Sequence, residues 1–379
     1  MSLIAEKQFG SRGAQDARLG AGVGRITRSM GIRTTCTVVP QSGVRQVVDL
    51  SGPVTGLGLD YEYFFNIIRT VAQVHGITDR RWFITYDASV PLPELDGQSV
   101  VFIFGDERAL TPQLYERAGL VLKSYGTVAG TVQKPRPTIS WVLDRLRITR
   151  NRYQDKLIRL DIGAERYAAI AAKTLTFPLG YTQQKELPLK PFGARSRLLW
   201  FAGSLWNTHA SAVAIRKRLS GIPKLDARQS MARAVEKLKE LHPDWAIELR
   251  LVRKYQDSLA AGGQNYSETM MDTKICVVPR GTTPETQRFF EAMRSGCIVV
   301  SEPVPDFWFY RSAPAITVDR WRELPQVMED LVADPARMQA LHQAGRRWWE
   351  EICAPEAMAR TIAAVLRGET TVAEVMARR

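Results

Sequence analysis

The chain has little of the material from which metal and disulfide chemistry is built. Its 379 residues contain four cysteines, Cys36, Cys276, Cys297 and Cys353. No two have metal-ligand spacing, and Cys276 and Cys297 lie in apolar runs that read as buried strands. Reduced core thiols are the simpler account and point to a reducing compartment. The four histidines, His75, His209, His242 and His342, are as dispersed, and none pairs at helical metal spacing. No Asp-x-Asp occurs, which removes the simplest grip on a metal-bound nucleotide diphosphate. There is no P-loop sequence. The Gly-rich stretch at residues 20–24 follows no strand and lacks GxGxxG, so it reads as a flexible tail. No apolar run reaches the roughly 18 residues of a membrane span. The N-terminus lacks a signal-peptide apolar core. The expected location is cytoplasmic, in solution or peripheral on the cytosolic face of a membrane.

Acids are also in short supply. There are 39 Asp and Glu against 52 Lys and Arg, a formal net charge of +13. Such an excess suits an anionic partner. It is spread over the lead-in, the stretch "WVLDRLRITRNRYQDKLIRL" from Trp141, "IRKRL" at Ile215 and "ARAVEKLKELH" at Ala232. Ordinary solvated faces are the plain reading. Docking on anionic lipid or a polyanionic acceptor is the sharper one. No RRM, KH or zinc-finger pattern supports nucleic acid.

Hydrophobic residues at 45% and charged residues at 24% describe a globular chain, long enough for two domains. Short apolar runs alternate with helical periods. "TTCTVVP", "VRQVVDL", "RWFITYD", "QSVVFIFGDE" and "LVLKSYG" read as strands. "LDYEYFFNIIRTVAQVHG" and "TPQLYERAG" read as helices, and a helical zone runs from Trp141 to about Thr174. "FPLGYTQQKELPLKPFGARSR" is proline- and glycine-punctuated and reads as a linker. The alternation then restarts with "LLWFAGS", "AIELRLV", "MDTKICVVPRG", "GCIVVSE" and "AITVD", with helices between and after. This pattern predicts an α/β protein with mostly parallel sheets. The expected division is a basic lead-in over 1–33, a first α/β domain over 34–181, a linker over 182–197 and a second α/β domain over 198–379 that includes the C-terminal helices.

The most informative stretch is "VVPRGTTPETQRFFEA". A buried strand ends at Pro279, and a loop follows with Arg280, Gly281 and Thr282. Thr283 is placed to cap the next helix, with Pro284 at its first position. In open α/β sheets ligands bind beyond the strands' carboxyl ends. The helix dipole adds only about 0.3–1 kcal/mol, so arginines must supply much of the grip on an anion. Arg288 and Glu291 follow at i,i+3 spacing. They form either a solvated surface pair or a grip on a charged, hydroxyl-bearing ligand, with Glu291 suited to ribose hydroxyls.

The segment "KICVVPRGTTPETQRFFEAMRSGCIVV" resembles the signature of exostosin-like glycosyltransferases. Cys276, Pro279, Gly281, Arg288, Glu291, Ala292, Gly296 and Cys297 match it in type and spacing. Val299 departs from it, standing where the family usually has proline. "LLWFAGS" and "ITVDRW", with Asp319 and Trp321, extend the likeness over roughly 198–330, strongest over 272–321. The resemblance implies a GT-B-like fold, two Rossmann-like domains facing across a cleft. It implies an inverting, metal-independent glycosyltransferase using a nucleotide-sugar, commonly a UDP-sugar, on a glycan, polysaccharide or lipid-linked acceptor, with no cofactor. Glu291 would hold the ribose and Arg288 the diphosphate or sugar. Arg280, Gly281 and Thr282 would surround the leaving group, facing the glycine turn of Gly203 and Ser204. Arg253 and Lys254 are candidates for the phosphates. The base would come from the first domain, where Asp106, Glu107 and Asp87 end strands. Two other readings stay open: a different nucleotide-dependent enzyme, and a non-catalytic basic adaptor binding membrane or polyanion.

Overall fold

Runs of β-branched and aromatic residues, buried on both faces in the central strands, build two sheets. The computed structural model describes residues 34–40, 43–54, 61–92, 94–127, 139–182, 186–205, 215–252 and 263–378. The basic lead-in, the glycines at 20–24, His209, Arg253 and Lys254 lie outside them.

The first sheet has six strands: β1 (Thr35–Val39), β2 (Gln46–Asp49), β3 (Arg81–Thr85), β4 (Ser99–Ile103), β5 (Leu120–Lys123) and β6 (Thr174–Thr176), ordered β2-β1-β3-β4-β5-β6. Only β2 is antiparallel. All five residues of β4, SVVFI, are buried, as a strand covered on both faces requires. Helix α1 (Glu62–Gln73) packs Phe64, Ile67, Ile68 and Val71 inward. The long α2 (Ile139–Ile162) and α3 (Ala164–Ala172) follow β5. The segment from Thr111, expected as a helix, forms only a 3₁₀ turn over Gln113–Tyr115. Tyr115 is fully buried there, its hydroxyl donating to the carbonyls of Asp87 and Val90. Asp155 takes the Thr111 N–H at 2.9 Å, and these tertiary bonds override the local helix signal.

The second sheet is wholly parallel: β7 (Arg197–Ser204), β8 (Ile247–Val252), β9 (Thr273–Val278), β10 (Ile298–Ser301) and β11 (Ile316–Thr317), ordered β11-β10-β9-β7-β8. The chain runs outward from β7 to β8 and returns past β7 to β9. That reversal is a topological switch point, and it opens a crevice at the carboxyl ends of β7 and β9. Helix α4 (Ile215–Leu241) joins β7 to β8, α5 (Gly263–Met271) precedes β9, and α6 (Gln287–Arg294) joins β9 to β10. The fold is therefore α/β with two sheets and flanking helices.

After β11 come α7 (Leu324–Val332), α8 (Pro335–Trp348), α9 (Pro355–Leu366) and α10 (Val372–Ala377). Sequence order groups the last two with the second sheet. In the structure α9 lies along α1 and α10 against β6. The Tyr63 hydroxyl donates to the Cys353 carbonyl at 2.7 Å, and Trp308 Nε1 donates to the Thr176 carbonyl at 2.9 Å. One hydrophobic cluster accordingly takes in Val38, Phe64, Trp200, Phe290, Met358 and Val375. All four cysteines are free and buried.

Candidate active site

Local sequence brings the predicted residues of the second half to the switch point. Strand β7 ends in Gly203 and Ser204, and β9 runs into Pro279 and Arg280. Helix α6 starts at Gln287 with Thr286 as its N-cap, not at Pro284 with Thr283 as cap. The reason is local: the Thr283 hydroxyl donates to the Glu285 carbonyl at 3.2 Å, folding residues 283–285 into a turn of their own. Arg288 thus lies in the first turn of α6. Its guanidinium sits 4.3 Å from the centre of the Phe201 ring and donates to the Ala202 carbonyl. A Cβ at Gly203 would come within 3.2 Å of that guanidinium, so the glycine makes room for it. Gly281 has space for a side chain, with 3.7 Å from an added Cβ to the nearest atom.

Arg288 and Glu291 are both buried, so the surface-pair reading fails. The Glu291 carboxylate accepts from the Tyr266 hydroxyl at 2.9 Å and from the Thr182 N–H at 3.4 Å. Burial pushes its pKa up, against the pull of Arg288. It therefore stands in packed protein.

Arg280 is taken up by a partner on α2. Its guanidinium makes a two-pronged pair with Asp144 on α2, one bond at 2.8 Å, and both residues are buried. Arg147, one turn further along α2, donates to the Thr282 carbonyl at 2.9 Å and lies 3.4 Å from Asp144. Two cations that sequence reasoning missed complete the crevice. Arg228 on α4 donates to the carbonyls of Ser204 and, at 3.3 Å, Arg280. Lys224, one helical turn earlier, has its pKa pulled down to about 8 by burial and by the charges of Arg228 and Arg288. Cations crowded enough to depress one another form a ready site for an anion. The helical period of α4 puts Lys224 and Arg228 on one face. That i,i+4 spacing was the only sequence signal for them.

The three base candidates part company. The Asp87 carboxylate accepts from the Ser89 N–H at 2.7 Å and from its hydroxyl, a turn-closing arrangement. Asp106 is buried. Burial works to raise its pKa, but Lys123 at 3.2 Å and Arg108 at 3.2 Å outweigh that and hold it low. Glu107 reaches water at the mouth of a small cavity of about 30 Å³. Surrounding protein raises its pKa, opposed by Arg147 and Lys224. The opposite wall holds Glu285, which sequence reasoning did not select. It is 4% exposed, and its Oε1 has no hydrogen-bond partner among the described residues. Burial pushes its pKa up to about 8. Ala109 and Tyr125 line the same cavity at φ 58° and 62°, backbone that non-glycine residues rarely adopt. Such strain persists only where the surroundings enforce it, and it clusters at functional sites. The cavity draws Glu107, Ala109 and Tyr125 from the carboxyl edge of the first sheet and Thr283, Glu285 and Pro305 from that of the second. The two edges thus face each other.

Beside this lies a cleft of about 980 Å³, lined by Trp141 and Asp144 of α2, Arg233 of α4, Glu302 after β10, and Asp319 and Trp321 after β11. Its size suits a nucleotide-sized ligand. Among the described residues no group of three His, Cys, Asp or Glu is arranged to hold a metal, and no helix is long and apolar enough to cross a membrane.

No protein-family model matches the chain, so the exostosin-like likeness rests on its motif alone. No curated protein matches either. Among solved structures, HepE of Anabaena in complex with UDP and glucose is similar at 12% identity and a TM-score of 0.34, over 80% of this chain and 81% of that one. A glycosyltransferase from Rickettsia africae is similar at 9% identity and a TM-score of 0.39, over 91% and 98%.

Proposed function

We propose that this chain is a glycosyltransferase that moves a sugar from a nucleotide-sugar, in the first instance a UDP-sugar, to a hydroxyl of a glycan or polysaccharide acceptor. The observation that carries the reading is the cluster of Lys224, Arg228 and Arg288 at the β7–β9 switch point, next to a cleft of nucleotide size. The diphosphate would lie against these cations and the open N–H groups of α6. Glu291, held by Tyr266 and Thr182, would serve the site through its charge on the neighbouring Arg288 and not through the ribose hydroxyls expected of it. Glu107 faces this cluster from the first sheet and is the base of choice over Asp106 and Asp87. It takes the acceptor's O–H proton as the oxygen bonds to the sugar's anomeric carbon. The bond from that carbon to the diphosphate breaks on the opposite face, inverting the centre. The charge that appears on the leaving group is met by fixed cations.

Calorimetry with nucleoside diphosphates tests the site. UDP is expected to bind, and Lys224→Ala to weaken it by about 1.5–3 kcal/mol, the scale of a charge-assisted bond. Glu291→Gln, which keeps the buried volume, is expected to weaken it as well. Lys224 loses its proton near pH 8, so wild-type affinity should fall above that pH. If no nucleoside diphosphate binds, the chain is not a nucleotide-sugar enzyme.

Transfer is also expected to persist in excess EDTA. The sequence lacks Asp-x-Asp, and protein cations stand where the diphosphate would lie. Loss of transfer in chelator with recovery on adding manganese would overturn this account of the leaving group.

A further inference from the structure

Helix α2 is built inside out. The side facing the protein buries one apolar residue, Ile148, and three polar ones, Asp144, Asn151 and Asp155. Each of the three ties α2 to a loop of the body, Asp144 to Arg280, Asn151 to the Arg108 carbonyl at 2.6 Å, and Asp155 to Thr111. The outward side carries five large apolar residues. Val142, Leu146, Tyr153, Leu157 and Leu160 are 49%, 62%, 63%, 47% and 70% exposed. At 3.6 residues per turn these five fall within about 60° of arc, on a stripe about 27 Å long. Arg145, Arg150, Arg152, Lys156 and Arg159 flank the stripe, all exposed. The one exposed acid on the helix is Asp161. A helix washed only by water gains nothing from showing leucine outward while burying aspartate.

We propose that the outer face of α2 lies on a bilayer containing anionic lipid. An apolar stripe flanked by lysine and arginine is the chemistry of a helix that rests in the interface, leucines among the acyl chains and cations at the headgroups. The charge is one-signed, which favours anionic lipid over a second copy of this basic chain. Arg147 takes no part, since it donates inward to the loop after β9. The basic residues at 216–218 fall outside the described side chains.

The native cysteines are all buried, so a single surface cysteine can be labelled on the folded protein. An environment-sensitive dye on Leu157→Cys is expected to shift to the blue with vesicles of equal phosphatidylglycerol and phosphatidylcholine, and not with phosphatidylcholine alone. The same dye on Val47→Cys, at an exposed site on β2, should not shift. In sedimentation, reversing Arg145, Arg152 and Lys156 to glutamate is expected to lower vesicle binding by at least about a hundredfold, since each basic residue near an anionic surface contributes roughly a factor of five. Leu146→Ser with Leu157→Ser should lower it at least tenfold while UDP affinity holds. Three results would overturn the proposal: no vesicle binding at low salt, vesicle binding without a dye shift at position 157, or a dye shift that needs only more protein, which would make a second copy the occupant. Binding of a soluble acidic polysaccharide in place of vesicles would overturn it as well.

Discussion

Asp144→Ala is expected to destabilise the protein by about 3–5 kcal/mol, the range for removing one member of a buried ion pair. Asp144 is 4% exposed and Arg280 is 7% exposed. The carboxylate takes both prongs of the Arg280 guanidinium and also lies 3.4 Å from Arg147. Alanine would leave two guanidinium groups facing each other without the carboxylate that joins them. Part of the loss should return in the double variant Asp144→Ala/Arg280→Ala, because the like charge facing Arg147 is then gone as well. Urea midpoints at unchanged slope measure both. A loss under about 1 kcal/mol would mean that water reaches the pair and that it behaves as a surface bridge. The pair also fastens α2 to the loop after β9. Asp144→Ala should therefore loosen that loop and lower donor affinity even in molecules that stay folded.

The second large effect concerns pH. Glu285 has its pKa raised from 4.5 to about 8 in the folded protein. Between those values the folded state keeps a proton that the unfolded state has lost. Stability from this group is thus fully present below about pH 4.5 and is lost as pH rises to about 8, at about 1.4 kcal/mol per pH unit and up to roughly 5 kcal/mol in all. Glu285→Gln is neutral throughout. It is expected to be close to wild type at pH 5 and more stable by a few kcal/mol at pH 8. Other groups titrate over the same range, so the difference between the two stability curves is the quantity to measure. Parallel curves would show that Glu285 is ionised in the folded protein, and the small cavity would then hold two charged carboxylates.

Much of this was legible in the sequence. Buried strands announce themselves by composition: SVVFI at β4 and TKICVV at β9 have few other uses. Gly203 and Ser204 end a strand as expected, and Arg280 and Arg288 lie beside the crevice. The partners of these residues were not legible. Nothing local to Asp144 says that it will meet a guanidinium 136 residues away. Without that contact, Arg280 reads as a free cation for a phosphate. Glu285 was hidden for a different reason. An acid just ahead of a helix is ordinary, since it suits the dipole. Only burial against the other half makes it a proton-holding group, with Glu107 adding to the effect and Lys123 and Arg147 opposing it. Lys224 likewise becomes informative once Arg228 and Arg288 are known to crowd it.

The return of the last helices to the first sheet sets an order on how the molecule can be made. Tyr63 waits for the carbonyl of Cys353, and the cluster that begins at Cys36 closes only with Val375. During synthesis the first sheet emerges early but lacks the surface that covers α1 until nearly the whole chain has left the ribosome. Each sheet also has a smaller cluster on its other face, Val39 to Val121 for the first and Phe192 to Met338 for the second, and these can settle sooner. The face of the first sheet that carries α1 is therefore translated early and covered late. A stop codon a few dozen residues early would strip the cover from α1, at the far end of the sequence from the cut.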